Sequence, residues 1–105
     1  MRPVEFHILL ALAEGERHGY AIRQEAAESS GGELQLEPGT LYRALRRLLE
    51  AGLVAECHPG GADPVDERRR TYRLTDSGRR AAETEAERMA ELVAAARRRK
   101  LLGRS

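Results

Sequence analysis

Residues 38–54 read PGTLYRALRRLLEAGLV, and this stretch constrains the fold more than any other. At about 100° per residue, Leu41, Ala44, Leu45, Leu48 and Leu49 fall within one arc of roughly 140°. Arg43, Arg46, Arg47 and Glu50 lie opposite, with Gly39 and Thr40 on the same exposed side and Tyr42 on the boundary. Pro38 suits the first helical position and Gly52 a helix stop. A helix of this kind must bury one side on a core that the rest of the chain supplies. Its other side is cationic and begins at the positive end of the helix dipole. Taken alone, it reads equally as the polar outside of a packed helix or as a surface for a polyanion.

The elements around it favour the second reading. Pro3 opens a first helix with Val4, Ile8, Leu9, Ala11 and Leu12 on a wide apolar face, and Gly15 is the expected left-handed cap. Residues 16–19 form a short connection, a second helix runs over about 20–28, and SSGG at 29–32 breaks it. The alternation in Leu34-Gln35-Leu36-Glu37 predicts a very short strand. Beyond the third helix, residues 53–58 and 70–75 are β-rich. They flank a loop at 59–67 with two prolines, two glycines and two aspartates, so a hairpin with a long tip is expected. Thr75 or Asp76 can cap a last helix reaching about Leu101. The predicted fold class is mainly α with a small β-hairpin. Residues 1–76 form a winged helix-turn-helix DNA-binding unit, and 77–105 form a long C-terminal dimerisation helix with a basic tail. In that architecture the third helix enters the major groove and the hairpin tip touches the adjacent backbone.

Charge enters here through its placement. The formal net charge is only +1, yet nearly all the positive charge is arginine, clustered at 43–47, 68–73 and 97–104. Guanidinium groups suit phosphates and base edges.

At this point four pieces stand together: HGYAI at 18–22, PGTLYRAL at 38–45, LLEAGLV at 48–54 and RTYRLTDSG at 70–78. In order and spacing, over about residues 5–80, they resemble the PadR family of bacterial winged helix-turn-helix transcriptional regulators, in its compact subclass with one C-terminal dimerisation helix. The resemblance implies a homodimeric repressor of a roughly palindromic operator in double-stranded DNA. It places Tyr20, Thr40, Tyr42 and Arg43 at the DNA backbone and groove, and Arg69 and Arg70 on the basic wing strand. Arg46 and Arg47 add charge along the third helix. It also implies a small apolar or phenolic inducer between the subunits, although no tryptophan supplies an aromatic wall. Asp63, Asp66 and Glu67 depart from a basic wing and would repel phosphates at its tip. They keep open a second function, a winged helix that meets an acidic protein through its arginine faces.

In the last helix Ala82, Ala86, Met89, Val93 and Ala96 recur at alternating four and three residues, a seam that allows close approach of a partner helix. Phe6 and Leu10 on the first helix are the expected partners of the other subunit's seam. The remaining signals exclude other classes. His7, His18, His58 and Cys57 lack ligand spacing, and adjacent Cys57 and His58 would point to opposite faces of a strand, so no metal or cofactor is expected. No nucleophile setting or phosphate-binding loop is present, so an enzyme is not expected. No membrane span or signal peptide is read, and a single cysteine suits a reducing compartment, so the expected location is the cytoplasm.

Overall fold

In the computed structural model, which describes residues 1–57 and 70–103, the amphipathic stretch forms a helix between two others and a small sheet. The order is α1 (Pro3–Leu12), β1 (Arg17–His18), α2 (Gly19–Ser29), α3 (Pro38–Glu50), β2 (Val54–Cys57), β3 (Thr71–Leu74) and α4 (Asp76–Arg98). The strands are antiparallel in the order β1-β3-β2, with Glu56 opposite Tyr72 and His18 opposite Thr71.

One core joins these elements. Ile8, Leu9 and Leu12 of α1 meet Ile22 and Ala26 of α2, Leu41, Ala44, Leu45 and Leu48 of α3, Val54 of β2 and Tyr72 of β3. Ile8, Leu9, Leu12, Ile22, Leu41 and Leu45 are fully buried. Each contributes about 1.5–3 kcal/mol of apolar transfer, enough to dictate which face of every helix turns inward. The arc read from sequence on α3 is the arc that is buried.

Helix ends follow glycine. At α2 and α3 the backbone turns left-handed at Gly31 (φ 67°) and Gly52 (φ 76°). There Gly32 and Leu53 donate back to the carbonyls of Ala27 and Leu48, closing each helix with paired bonds. Two helix ends and two parts of the strand reading differ from expectation. The α1 helix ends at Leu12 with a right-handed Ala13, and Gly15 lies two residues beyond that cap. The α4 helix stops at Arg98 and not Leu101, because Lys100 turns left-handed (φ 60°) and Leu101 donates to Ala96. Residues 34–37 form no strand. Leu36 is buried in the core, and its carbonyl accepts from Arg23 Nε at 2.5 Å, so a side chain supplies what a strand partner would have. The third strand is instead Arg17–His18, within the stretch expected to be a connection, and it fills the free edge of β3.

The α4 helix is fastened at its start. Thr75 Oγ1 accepts from the Gly78 N–H at 3.0 Å and donates to the Gly52 carbonyl at 2.6 Å, while the Thr75 N–H donates to Leu53 at 3.1 Å. Its first half lies along α1. A helix of 23 residues is about 35 Å long, and its far half leaves Leu92 and Val93 exposed.

Candidate nucleic-acid interface

The starts of α2 and α3 are brought together by a tyrosine and a glycine. Tyr42, half-buried on α3, rests its hydroxyl against Gly19, where a Cβ would come within 2.6 Å of it. The glycine of HGY is therefore needed for contact between the helices. Tyr20 follows it in the first turn of α2 and stands 60% exposed, accepting only a long bond of 3.5 Å from Gln24.

Neither helix start carries a side-chain cap: His18 precedes α2 and Glu37 precedes α3, and neither bonds a first-turn N–H. The α4 helix differs, since Thr75 caps it; at α1 the preceding Arg2 likewise bonds no first-turn N–H, although Glu5 reaches back to the Arg2 N–H at 3.4 Å. Uncapped first-turn N–H groups and a positive dipole end form an anion-seeking surface. Arg43 reinforces it. Its guanidinium curls back over the first turn of α3, with Nη2 3.4 Å from Thr40 Oγ1. A cation parked at the positive end of a helix is unfavourable until an anion joins it.

The remaining arginines separate by partner. Arg46 is exposed at the rim of a groove between α3 and the sheet, which Tyr42, Glu56, Arg70 and Tyr72 also line. Arg70 is half-buried, with Nη1 3.6 Å from Glu56. Arg47 points elsewhere, its Nε 3.0 Å from Glu5 on α1. Arg43 and Arg46 thus stand exposed on α3 with half-buried Thr40 beside Arg43, and Tyr20 stands exposed at the start of α2. Tyr42 is half-buried between the two helices, and Arg47 is engaged within the fold. Arg69 and the loop at 59–67 lie outside the described residues.

Residues absent from the sequence reading hold this arrangement. Arg23 ties α2 to the approach to α3, Arg17 Nε reaches the Ala11 carbonyl at 2.7 Å, and Arg79 Nη2 reaches Ala13 at 2.9 Å. Thr71 Oγ1, with one proton to give, donates to Glu16 and lies 3.2 Å from the Cys57 carbonyl. The seam residues divide. Phe6, Leu10, Ala82 and Ala86 line an apolar recess of about 170 Å³ between α1 and α4, together with Leu74. Half-buried Met89 and Ala96 and exposed Val93 continue along α4 beyond it. Glu85, on another side of α4, is buried and takes two bonds from Arg88 at 3.2 and 2.6 Å, which hold its carboxyl below the usual carboxylate range. Among the described residues no group of three or more His, Cys, Asp or Glu could hold a metal ion, and no helix is long and apolar enough to cross a membrane.

The chain has relatives. The chain is 42% identical over 85 residues to an uncharacterized 37.1 kDa protein of transposon TN4556 from Streptomyces fradiae, covering 81% of the chain but only 22% of that protein. It is 40% identical over 92 residues to the transcriptional regulator Rv3488 of Mycobacterium tuberculosis, covering 87% of the chain and 78% of the relative. Bacillus subtilis PadR solved with operator DNA superposes at a TM-score of 0.65 with 25% identity, over 81% of this chain and 47% of that one. The same protein solved with p-coumaric acid gives 0.61 and 26%, over 78% and 43%. The sequence model of the transcriptional regulator PadR-like family matches residues 8–84, and with the 40% identity to Rv3488 this shows that the chain belongs to the PadR-like family of transcriptional regulators.

Proposed function

We propose that the chain represses transcription in the cytoplasm as a homodimer on a roughly palindromic operator, with residues 1–76 on the DNA and 77–105 joining the subunits. The observation that carries this reading is the pair of uncapped helix starts, with exposed Tyr20 on one and Arg43 folded over the other. The first turns of α2 and α3 take backbone phosphates, Thr40 and Tyr42 fix the entry of α3, and Arg43 and Arg46 face the major groove. Arg70 at the root of the wing adds a phosphate contact, joined by Arg69. The Bacillus subtilis relative solved on operator DNA supports the DNA partner.

The exposed far half of α4 and the recess beside Phe6 and Leu10 support association with a second copy, since alone they leave apolar surface in water. The recess also suits a small phenolic inducer, the class of compound bound in the other Bacillus subtilis PadR structure.

The test compares Arg43→Ala with Arg47→Ala on duplexes from the region upstream of the protein's own gene, at two salt concentrations. Arg43→Ala loses about 1–3 kcal/mol and relaxes sequence preference if it reads a guanine. If it meets only phosphate, the loss is uniform across sequences and the salt slope falls by about one. Arg47→Ala, paired with Glu5, changes binding by less than about 1 kcal/mol. Unchanged binding of Arg43→Ala to every duplex would remove that residue from the interface. Binding by the wild type without sequence preference at low salt would point instead to an acidic protein partner.

A further inference from the structure

Side chains alternate across a strand, so Val54 and Glu56 share one face of β2. Glu56 stands opposite Tyr72, which puts both on the same side of the sheet, and Arg70, two residues before Tyr72, continues that side. Val54 and Tyr72 are 3% and 2% exposed, so this is the face that α3 covers. A carboxylate and a guanidinium thus occupy the side where alternation calls for apolar residues. Their contact is loose at 3.6 Å, and Arg70 Nε is shut from solvent with no hydrogen-bond partner. A half-buried ion pair this loose, with an unmet N–H on its guanidinium, recovers little of its desolvation cost through that contact. A phosphate oxygen in this groove would draw the Arg70 guanidinium away from Glu56 and meet exposed Arg46 at its rim.

We propose that Glu56 is a specificity-determining residue of the interface, an internal carboxylate that occupies Arg70 in place of a phosphate and gives it up only to a fully seated duplex. This rests on the DNA-binding reading above. A duplex that does not admit α3 leaves Arg70 paired with Glu56 and gains nothing from it. A duplex that admits α3 brings a phosphate to the groove and takes the guanidinium over. The carboxylate so weakens every duplex, and it weakens poorly fitting ones more.

The experiment measures binding of the full-length protein and its Glu56→Gln variant to a random-sequence duplex and to a duplex from upstream of its own gene, between about 50 and 200 mM salt. Glu56→Gln is expected to bind the random duplex several-fold tighter and to narrow the ratio between the two duplexes. On the random duplex its salt slope steepens by about 0.9, one phosphate neutralised without an internal competitor, so its advantage there shrinks about threefold across that range. In an Arg70→Gln background the same change at Glu56 leaves the slope where Arg70→Gln alone sets it. Should Glu56→Gln fail to fold, Glu56→Asp, whose shorter carboxylate withdraws from Arg70, shifts the slope in the same direction. Equal affinities and slopes for wild type and a folded variant, on DNA the wild type binds, would overturn the role of Glu56 and leave the DNA-binding reading intact. No binding by the wild type to either duplex at low salt would overturn both.

Discussion

Replacing Gly78 by alanine sets two rules against each other. Gly78 is the third residue of α4, where helix propensity alone favours alanine by about 1 kcal/mol. The structure reverses that sign. A Cβ on Gly78 would lie 1.9 Å from the Leu53 carbonyl oxygen, 2.9 Å from its carbon and 3.2 Å from Leu74 Cδ2. The first two atoms are backbone at the closed end of α3, so the first turn of α4 must move away. Overpacking of this kind costs about 1–3 kcal/mol, at the upper end when backbone cannot yield. The shift also strains the Thr75 N–H bond to Leu53, worth about 1 kcal/mol, and the Thr75 cap, worth about as much. Less the propensity gain, the variant is destabilised by about 3 kcal/mol. For a chain of this size that lowers the melting temperature by about 12–24 °C, read by circular dichroism at fixed protein concentration. A melting temperature equal to or above the wild type's would show that α4 docks on Leu53 more loosely than the geometry requires, and would refute the argument.

Three further outcomes follow from separate contacts. Gly19→Ala pushes the Tyr42 hydroxyl, which can yield, so it costs about 1 kcal/mol in stability yet weakens DNA binding; adding Tyr42→Phe recovers part of both, and a double-mutant cycle without coupling would contradict the contact. Glu85 has its carboxyl held down first by the Arg88 hydrogen bonds and then by the Arg88 charge, with burial opposing. Its folded value lies below its unfolded one, so its contribution is complete above about pH 4.3 and is lost as pH falls through the depressed value. Glu85→Gln should flatten that acid limb in a melting series. Val93→Glu, midway along the exposed half of α4, should shift the protein to monomer in light scattering without lowering its helix content.

How far these features can be read from sequence depends on how local their causes are. The faces of α3 are legible because every signal, from Pro38 through the leucine spacing to Gly52, lies within seventeen residues. The strand at Arg17–His18 is not, because two polar residues carry no pattern and their pairing with Thr71 and Tyr72 spans more than fifty positions. Residues 34–37 mislead for the converse reason. Their alternation is real, but it records Leu34 and Leu36 covering the core and not a ladder. Among the arginines, helical spacing places 43, 46 and 47 on one side, yet it cannot know that Glu5, forty-two residues earlier, claims Arg47. Gly78 could have been suspected, since a glycine just inside a capped helix is unfavourable unless something approaches its Cα. What approaches it is visible only in the folded chain.

The first helix shows why such long-range pairs matter for function. Successive helical residues point about 100° apart, so Glu5, Phe6 and His7 reach three different neighbours. Glu5 holds Arg47 on α3 at 3.0 Å, Phe6 lines the recess beside α4, and His7 Nδ1 meets Ser29 Oγ at the end of α2 at 2.6 Å. The helix facing the recess is therefore bonded to both helices whose starts form the candidate interface. The α1 helix cannot slide along its axis without lengthening both polar contacts. Each contact is partly exposed and worth little by itself, no more than about 1 kcal/mol. Their weight is geometric: they fix the register of α1 against α2 and α3, so that the wall of the recess and the positions of the two helix starts share one element.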